Sequence, residues 1–385
     1  MMRHRASSLK IVDIRGIATS FPVQQSVTLG IGRAVKRDAL IVKVTTESDL
    51  VGWGESHHGR APGAIAQLIN TTLRQLVLGM DASDVVGIWN RIYIRQLMSH
   101  GMGQACAMAM SGLDQALWDI RGKAVGWPLY RLLGGAARPV PAYAGGISLG
   151  FQPSGELVEE ALALKEQGYR AIKLRFGDGA TRDIERLVAV HKALGDSMSI
   201  MVDANTSYTI ADVRAVMPAM SEHGVLWLEE PFAPHDYRSY RTAATLGATP
   251  LAAGENHFTR FEFSRLIEEG AVQIIQPDLS KAGGITEVQR IAAMASAEKL
   301  SINPHTLASG LNMAASIHCL CAIDNSGYFE ADVARENLFR DQLTSGLEKL
   351  DAEGCVHPPE GPGLGIEVDE EFLTAHPLID GPAYV

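Results

Sequence analysis

Four cysteines among 385 residues are too few for a disulfide framework. Cys319 and Cys321 stand only two apart, which fits no CxxC metal or redox spacing, and Cys106 and Cys355 are isolated. All four read as buried free thiols, and the compartment expected is the reducing cytoplasm. No apolar run is long enough to span a bilayer, so no membrane partner is expected. The opening stretch Met1–Lys10 lacks the apolar core of a signal peptide. Basic residues are in deficit, with 34 Lys and Arg against 44 Asp and Glu and a net charge of −10. No Lys/Arg stripe overrides that balance, which speaks against a nucleic-acid partner. Low-complexity segments are absent as well.

A hydrophobic content of 46% with 20% charged residues fits a globular chain, too long for one core. Short apolar runs at 171–176, 199–205, 225–231, 251–256, 272–278, 301–305 and 328–330 read as strands. Helical patterns at 181–195, 210–223, 258–269 and 284–298 lie between them. Polar residues near the run ends, Asp203, Glu229, Glu255, Asp278, His305 and Glu330, are separated by 26, 26, 23, 27 and 25 residues. Each step is the length of one strand, one helix and two loops. A unit repeated this often closes most simply into a parallel barrel, with its chemistry at the carboxyl ends of the strands.

The fold expected is therefore α/β: a (β/α)7-8 TIM-like barrel over 138–354, with an α+β capping domain over 1–137. Residues 355–385 are expected to return and complete the cap. The cap reads as strands at 9–21, 38–46 and 51–55, then helices at 63–78, 83–97 and 102–123, the last continuing to about Leu133. Segments near 22–37 and 55–62 read as loops.

Asp203, Glu229 and Glu255 would meet at one mouth, where three carboxylates repel unless a cation neutralises them. Oxygen-only donors favour a hard ion, and open positions for water and substrate suit Mg²⁺. Of the neighbours Glu229 and Glu230, strand alternation lets only one face inward. Lys173 and Arg175, two apart on one strand, point the same way and can support a developing negative charge. His305 beside Asp278 makes an oriented proton shuttle. Glu330 can bond a substrate oxygen. His57 and His58 read as solvated loop residues that could touch substrate. Arg33, Lys36, Arg37 and Arg60 could meet a distal carboxylate.

These residues resemble the enolase superfamily, and within it the mandelate racemase subgroup. The resemblance is carried by Gly52-Trp53-Gly54-Glu55, Ala116-Leu117-Trp118-Asp119-Ile120 with Gly122-Lys123, and Val202-Asp203-Ala204-Asn205. Leu228-Glu229-Glu230-Pro231, Gly254-Glu255-Asn256, Gln276-Pro277-Asp278, Asn303-Pro304-His305 and Gly361-Pro362-Gly363-Leu364-Gly365 extend it over nearly the whole chain. It implies Mg²⁺ held by Asp203, Glu229 and Glu255, and removal of the proton α to a carboxylate. Lys173 would stabilise the enediolate, the His305–Asp278 pair would be the base, and Glu330 an electrophile. Asn205, Asn256, His57 and Arg60 are substrate-binding candidates, and an even-numbered homo-oligomer is implied.

Two departures narrow the reading. The subgroup's usual Lys-x-Lys is here Lys173-Leu174-Arg175, and arginine stays protonated. A racemase needs a base on each face, whereas a dehydratase can manage with His305 alone. Where some sugar-acid dehydratases carry a catalytic His, this chain has Asn205. It therefore looks less like gluconate-, mannonate- or galactonate-type enzymes than like those acting on aldarates, tartrate or deoxysugar acids. The expected function is Mg²⁺-dependent dehydration of a sugar acid to a 2-keto-3-deoxy acid. An epimerase or lactone cycloisomerase is the alternative on the same site, and a non-catalytic ligand-binding barrel the alternative of another class.

Overall fold

The computed structural model describes residues 8–347 and 349–385; Met1–Ser7, most of the stretch read as lacking a signal peptide, lie outside them. Three antiparallel strands, Ile11–Pro22, Lys36–Thr46 and Val51–Ser56, form a meander under the helix Gln104–Val125. Strand and helix backbones meet directly. A Cβ on Gly52 would stand 2.1 Å from Ala116 O, and one on Gly54 2.1 Å from Gly112 O. The Gly52-Trp53-Gly54 motif is thus a close-approach device. Asp119 on the helix accepts from Trp53 N (2.9 Å), Leu364 N (2.9 Å) and Lys123 Nζ (2.6 Å), joining the cap strand to the tail. The helix does not continue to Leu133 as expected. It stops at Gly126, whose φ of 70° forms a left-handed cap, and a separate turn, Leu129–Leu132, follows Pro128.

Eight parallel strands follow: Val140–Gly145, Ala171–Arg175, Ser199–Asp203, Leu228–Glu229, Leu251–Ala253, Ile274–Ile275, Ser301–Ile302 and Phe329–Asp332. The first seven pair in chain order and the eighth pairs with the first. Ile302 N bonds Asn325 O and Gly327 N bonds Ile302 O, both at 2.9 Å, which closes the ring. A helix separates each strand from the next, so the barrel expected from the repeat is present, as seven βα units and a final strand.

Alternation builds the site. Ile172, Leu174, Ile200, Val202 and Leu228 face the helices and join the main core. Ala171, Met201, Trp227 and Ala252 face inward with Tyr143 and make an apolar floor. The next inward residues, Lys173, Asp203 and Glu229, are charged and at most 1% exposed.

The tail returns to the cap: Val35 N bonds Ala383 O and Arg33 N bonds Val385 O, both at 2.9 Å. His318 clamps two other segments, its Nδ1 accepting from Tyr130 N (3.2 Å) while Nε2 donates to Leu364 O (3.1 Å). Cys106, Cys319 and Cys321 are buried free thiols, as expected, whereas Cys355 is only half-buried. No helix among the described residues is long and apolar enough to cross a membrane.

Two predictions follow from these contacts. Gly54→Ala is expected to destabilise the chain by about 1–3 kcal/mol in urea unfolding, because backbone cannot yield to the added carbon. Burial pushes the His318 imidazole from 6.5 down to about 4. The unfolded chain therefore binds a proton that the folded chain does not between those pH values. The stability due to neutral His318 is complete above about pH 6.5 and is lost as pH falls towards 4. His318→Gln should flatten the stability–pH slope in that window by about 1.4 kcal/mol per pH unit.

Candidate active site

The mouth of the barrel holds six carboxylates, Asp203, Glu229, Glu230, Glu255, Asp278 and Glu330, all buried but Glu255, which is 15% exposed at its side chain. Lys173, Arg175 and Lys281 answer them, with His305 as a fourth cation when protonated. Lys173 Nζ lies 2.7 Å from Glu229 Oε1, 2.9 Å from Glu330 Oε1 and 3.5 Å from Asp203 Oδ2. Arg175 bonds Asp203 Oδ2 and the carbonyl of Gly146. Burial works against both cations. The Glu229 and Glu330 carboxylates nevertheless raise Lys173, and Asp203 raises Arg175, above their ordinary ranges.

Glu229 Oε2 accepts from Gln276 Nε2 (2.7 Å) and Trp227 Nε1 (3.2 Å). Asn205, with φ of 44°, turns back on Asp203: its N bonds Oδ1 at 2.8 Å and its Nδ2 bonds Oδ2 at 3.2 Å. The strands are shorter than the sequence suggests, so Glu255, Asp278 and His305 occupy turns just beyond their ends. This changes the account of Glu230. Its φ of 33° breaks the alternation, so its carboxylate also turns to the mouth. There it accepts from Asn256 Nδ2 at 2.6 Å, while the same nitrogen reaches Glu255 Oε1 at 3.3 Å.

His305 Nδ1 donates to Asp278 Oδ2 at 2.7 Å, and Nε2 stands 3.1 Å from Glu255 Oε2. Burial disfavours the imidazolium, but Glu255 and Asp278 outweigh it and carry the group to about 9. The excess of negative charge appears elsewhere too. Burial and neighbouring carboxylates push Glu230 to about 8. Glu229 rises to about 7, through burial and despite Lys173. Glu330 is also buried, yet Lys173 and His305 take it down to about 2.

Above this layer lies a cavity of about 360 Å³. Arg175, Asn205, Glu230, Glu255, Asn256 and His305 line it from the barrel, and His57, His58 and Arg60 from the cap. His58 is not solvated, contrary to expectation, whereas His57 is half-buried. His58 is 6% exposed, the rings stack at 4.2 Å, and burial drives His58 to about 4. Of the four cap cations proposed for a distal carboxylate, only Arg60 lines this cavity. Arg33 is exposed, while Lys36 and Arg37 are buried against Asp38 (3.0 Å) and Asp332 (2.6 Å). Two lining residues went unnoticed in the sequence. Lys281, three past Asp278, lies 3.8 Å from Glu255 Oε1, and Tyr384 stacks its ring under Arg60 at 5.2 Å. The Lys281 position followed from the Asp278 turn; nothing local marks Tyr384.

Among the described residues no three His, Cys, Asp or Glu side chains are placed to share one metal ion. The Lys173 ammonium bridges Glu229 and Asp203 instead. Chemically the donors still fit a hard divalent cation. They are carboxylate oxygens, and six acids stand against three fixed cations, so that protons on Glu230 and His305 balance charge that a divalent cation could balance instead.

Residues 12–134 match the "Mandelate racemase / muconate lactonizing enzyme, N-terminal domain" and residues 156–372 match "Enolase C-terminal domain-like". The D-galactarolactone cycloisomerase of Agrobacterium fabrum is 31% identical, over 90% of this chain and 93% of that protein. The arabinonate dehydratase of Saccharolobus solfataricus is 33% identical, over 86% and 92%. Among solved structures, an enolase superfamily member from Polaromonas sp. JS666 is 54% identical, with a TM-score of 0.95 over 98% of this chain and 100% of that one. A racemase from Streptomyces coelicolor with bound magnesium is 28% identical, with a TM-score of 0.87 over 96% and 100%. The chain belongs to the enolase superfamily of enzymes, in its mandelate racemase and muconate lactonizing branch.

Proposed function

We propose that this chain is a Mg²⁺-dependent dehydratase of a sugar acid. The observation that carries the reading is the oriented His305–Asp278 pair at the cavity wall, together with an arginine, held by Asp203, at the usual place of a second base. Asp203, Glu229 and Glu255 would hold Mg²⁺, which when bound offsets the negative charge that develops on the substrate carboxylate. Lys173, permanently charged here, supports the same enediolate, and Glu330, paired with Lys173, would donate to a carboxylate oxygen only as the protonated acid. His305, once its Nε2 has given up the proton that Glu255 favours, takes the α-proton there, and the C–H electron pair passes into the enediolate. The imidazolium then returns that proton to the β-hydroxyl, the C–O bond breaks and water leaves. The enol product tautomerises to a 2-keto-3-deoxy acid. Arg175 cannot accept a proton, so abstraction and return on opposite faces lacks its second base.

Arg60 and Lys281 are the cavity cations that support a diacid substrate such as galactarate, talarate or tartrate as the narrower reading. Lactone cycloisomerisation is the second reading, because it too needs one base and a relative bears that name. Asn205 and Asn256 would act on substrate through the cavity wall while holding Asp203 and Glu230. A homo-oligomer remains part of the proposal.

A screen of sugar mono- and diacids with Mg²⁺, read by semicarbazide absorbance, is expected to give keto-acid from one or a few of them. Isomer without keto-acid would favour the cycloisomerase. His305→Asn should lower turnover by at least about 100-fold, and continued turnover would remove His305 as the base. Arg175→Lys should introduce what the native site lacks. Run in D₂O, it is expected to return substrate with α-deuterium and inverted configuration, which proton NMR detects.

A further inference from the structure

The His305–Asp278 pair is not held by the barrel alone. Asp278 Oδ1 accepts from Ser280 N and Ser280 Oγ (both 2.7 Å) and from Asn312 Nδ2 (3.1 Å), which leaves Oδ2 for His305. Asn312 Oδ1 in turn accepts from Gln115 Nε2 at 3.2 Å, and Gln115 Oε1 accepts from the backbone N–H of Glu55 at 3.0 Å. Gln115, Asn312 and Asp278 have no exposed surface. Gln115 is on the cap helix, and Glu55 is in the cap strand that packs against it.

The chain has a direction. A backbone N–H can only donate, so it fixes the oxygen of the Gln115 amide towards Glu55. The Gln115 NH₂ must then face Asn312, whose oxygen receives it. The Asn312 NH₂ is thereby turned to Asp278. The barrel end agrees with this order: Leu279 O accepts from the same Gln115 NH₂ at 3.0 Å, and the Asp278 carboxylate can only accept from Asn312.

Two more contacts start from the same strand end. The Glu55 carboxylate accepts from Ser309 N (2.9 Å) and Ser309 Oγ, and Ser309 caps the helix that bears Asn312. His57 N donates to Ser280 O at 2.8 Å.

We propose that Gln115 and Asn312 are positioning residues for the His305–Asp278 pair, so that docking of the cap fixes the orientation of the base. This rests on the reading of His305 as the base. The same strand that leads into the cap's cavity-lining loop thus also aims the proton acceptor. A misdocked cap would leave Asp278 free to rotate and His305 without a fixed tautomer.

The test needs no substrate. In the full chain labelled with ¹⁵N-histidine, the low-field proton of His305 Nδ1–H is identified by its absence in His305→Asn. Gln115→Met keeps the side-chain volume but removes all three hydrogen bonds of the amide, to Glu55 N, Leu279 O and Asn312. Gln115→Glu keeps the acceptor for Glu55 N and loses the donor to Asn312 and Leu279 O. Loss of that resonance in either folded variant is the expected result. A resonance kept at its native position, whatever the fall in thermal unfolding midpoint, would make the chain mere scaffolding and overturn the proposal. Failure of the base reading is separate, since it would appear as turnover by His305→Asn.

Discussion

Too many carboxylates are buried at one mouth for the cations that accompany them. Asp203, Glu229 and Glu330 all lean on the single ammonium of Lys173. Removing one partner from such a buried group typically costs about 3–5 kcal/mol. The apolar floor of Ala171, Met201, Trp227 and Ala252 keeps water from sharing the load from below. The barrel therefore maintains a crowd of buried acids that take up protons or cations, and the rest of the site is arranged around it. Arg175 and Asn205 hold Asp203, Asn256 orients Glu230, and His305 spans Asp278 and Glu255.

That arrangement links fold to chemistry. Inward residues alternate along each strand, so the charged layer follows from placing Lys173, Asp203 and Glu229 two residues beyond the floor on three adjacent strands. The cap closes the mouth from above with His57, His58, Arg60 and Tyr384. Its close packing depends on Gly52 and Gly54, and its registration depends on Asp119. Cap and barrel are thus mutually dependent: one supplies the charge and the other the enclosure that gives the charge its strength.

What the sequence made legible was local and periodic. The repeat length announced the barrel, and two-residue alternation placed Lys173 and Arg175 on one face. What it hid depends on single backbone turns or on distant partners. Glu230 was assigned away from the mouth because its positive φ has no signature in Leu-Glu-Glu-Pro. Lys36 and Arg37 looked available because Arg37 finds Asp332, almost 300 positions away in the chain, and Lys36 is buried against Asp38 only once the tail has folded back. His58 looked solvated because nothing in a loop sequence shows what covers it. Tyr384 reaches the cavity only through pairing of the tail with the cap.

Magnesium calorimetry on the full chain tests most directly whether this crowd of buried acids takes up a divalent cation. One Mg²⁺ per chain is expected, with affinity falling at least about tenfold in Glu229→Gln. Heats no greater than dilution, or equal affinity in that variant, would contradict it.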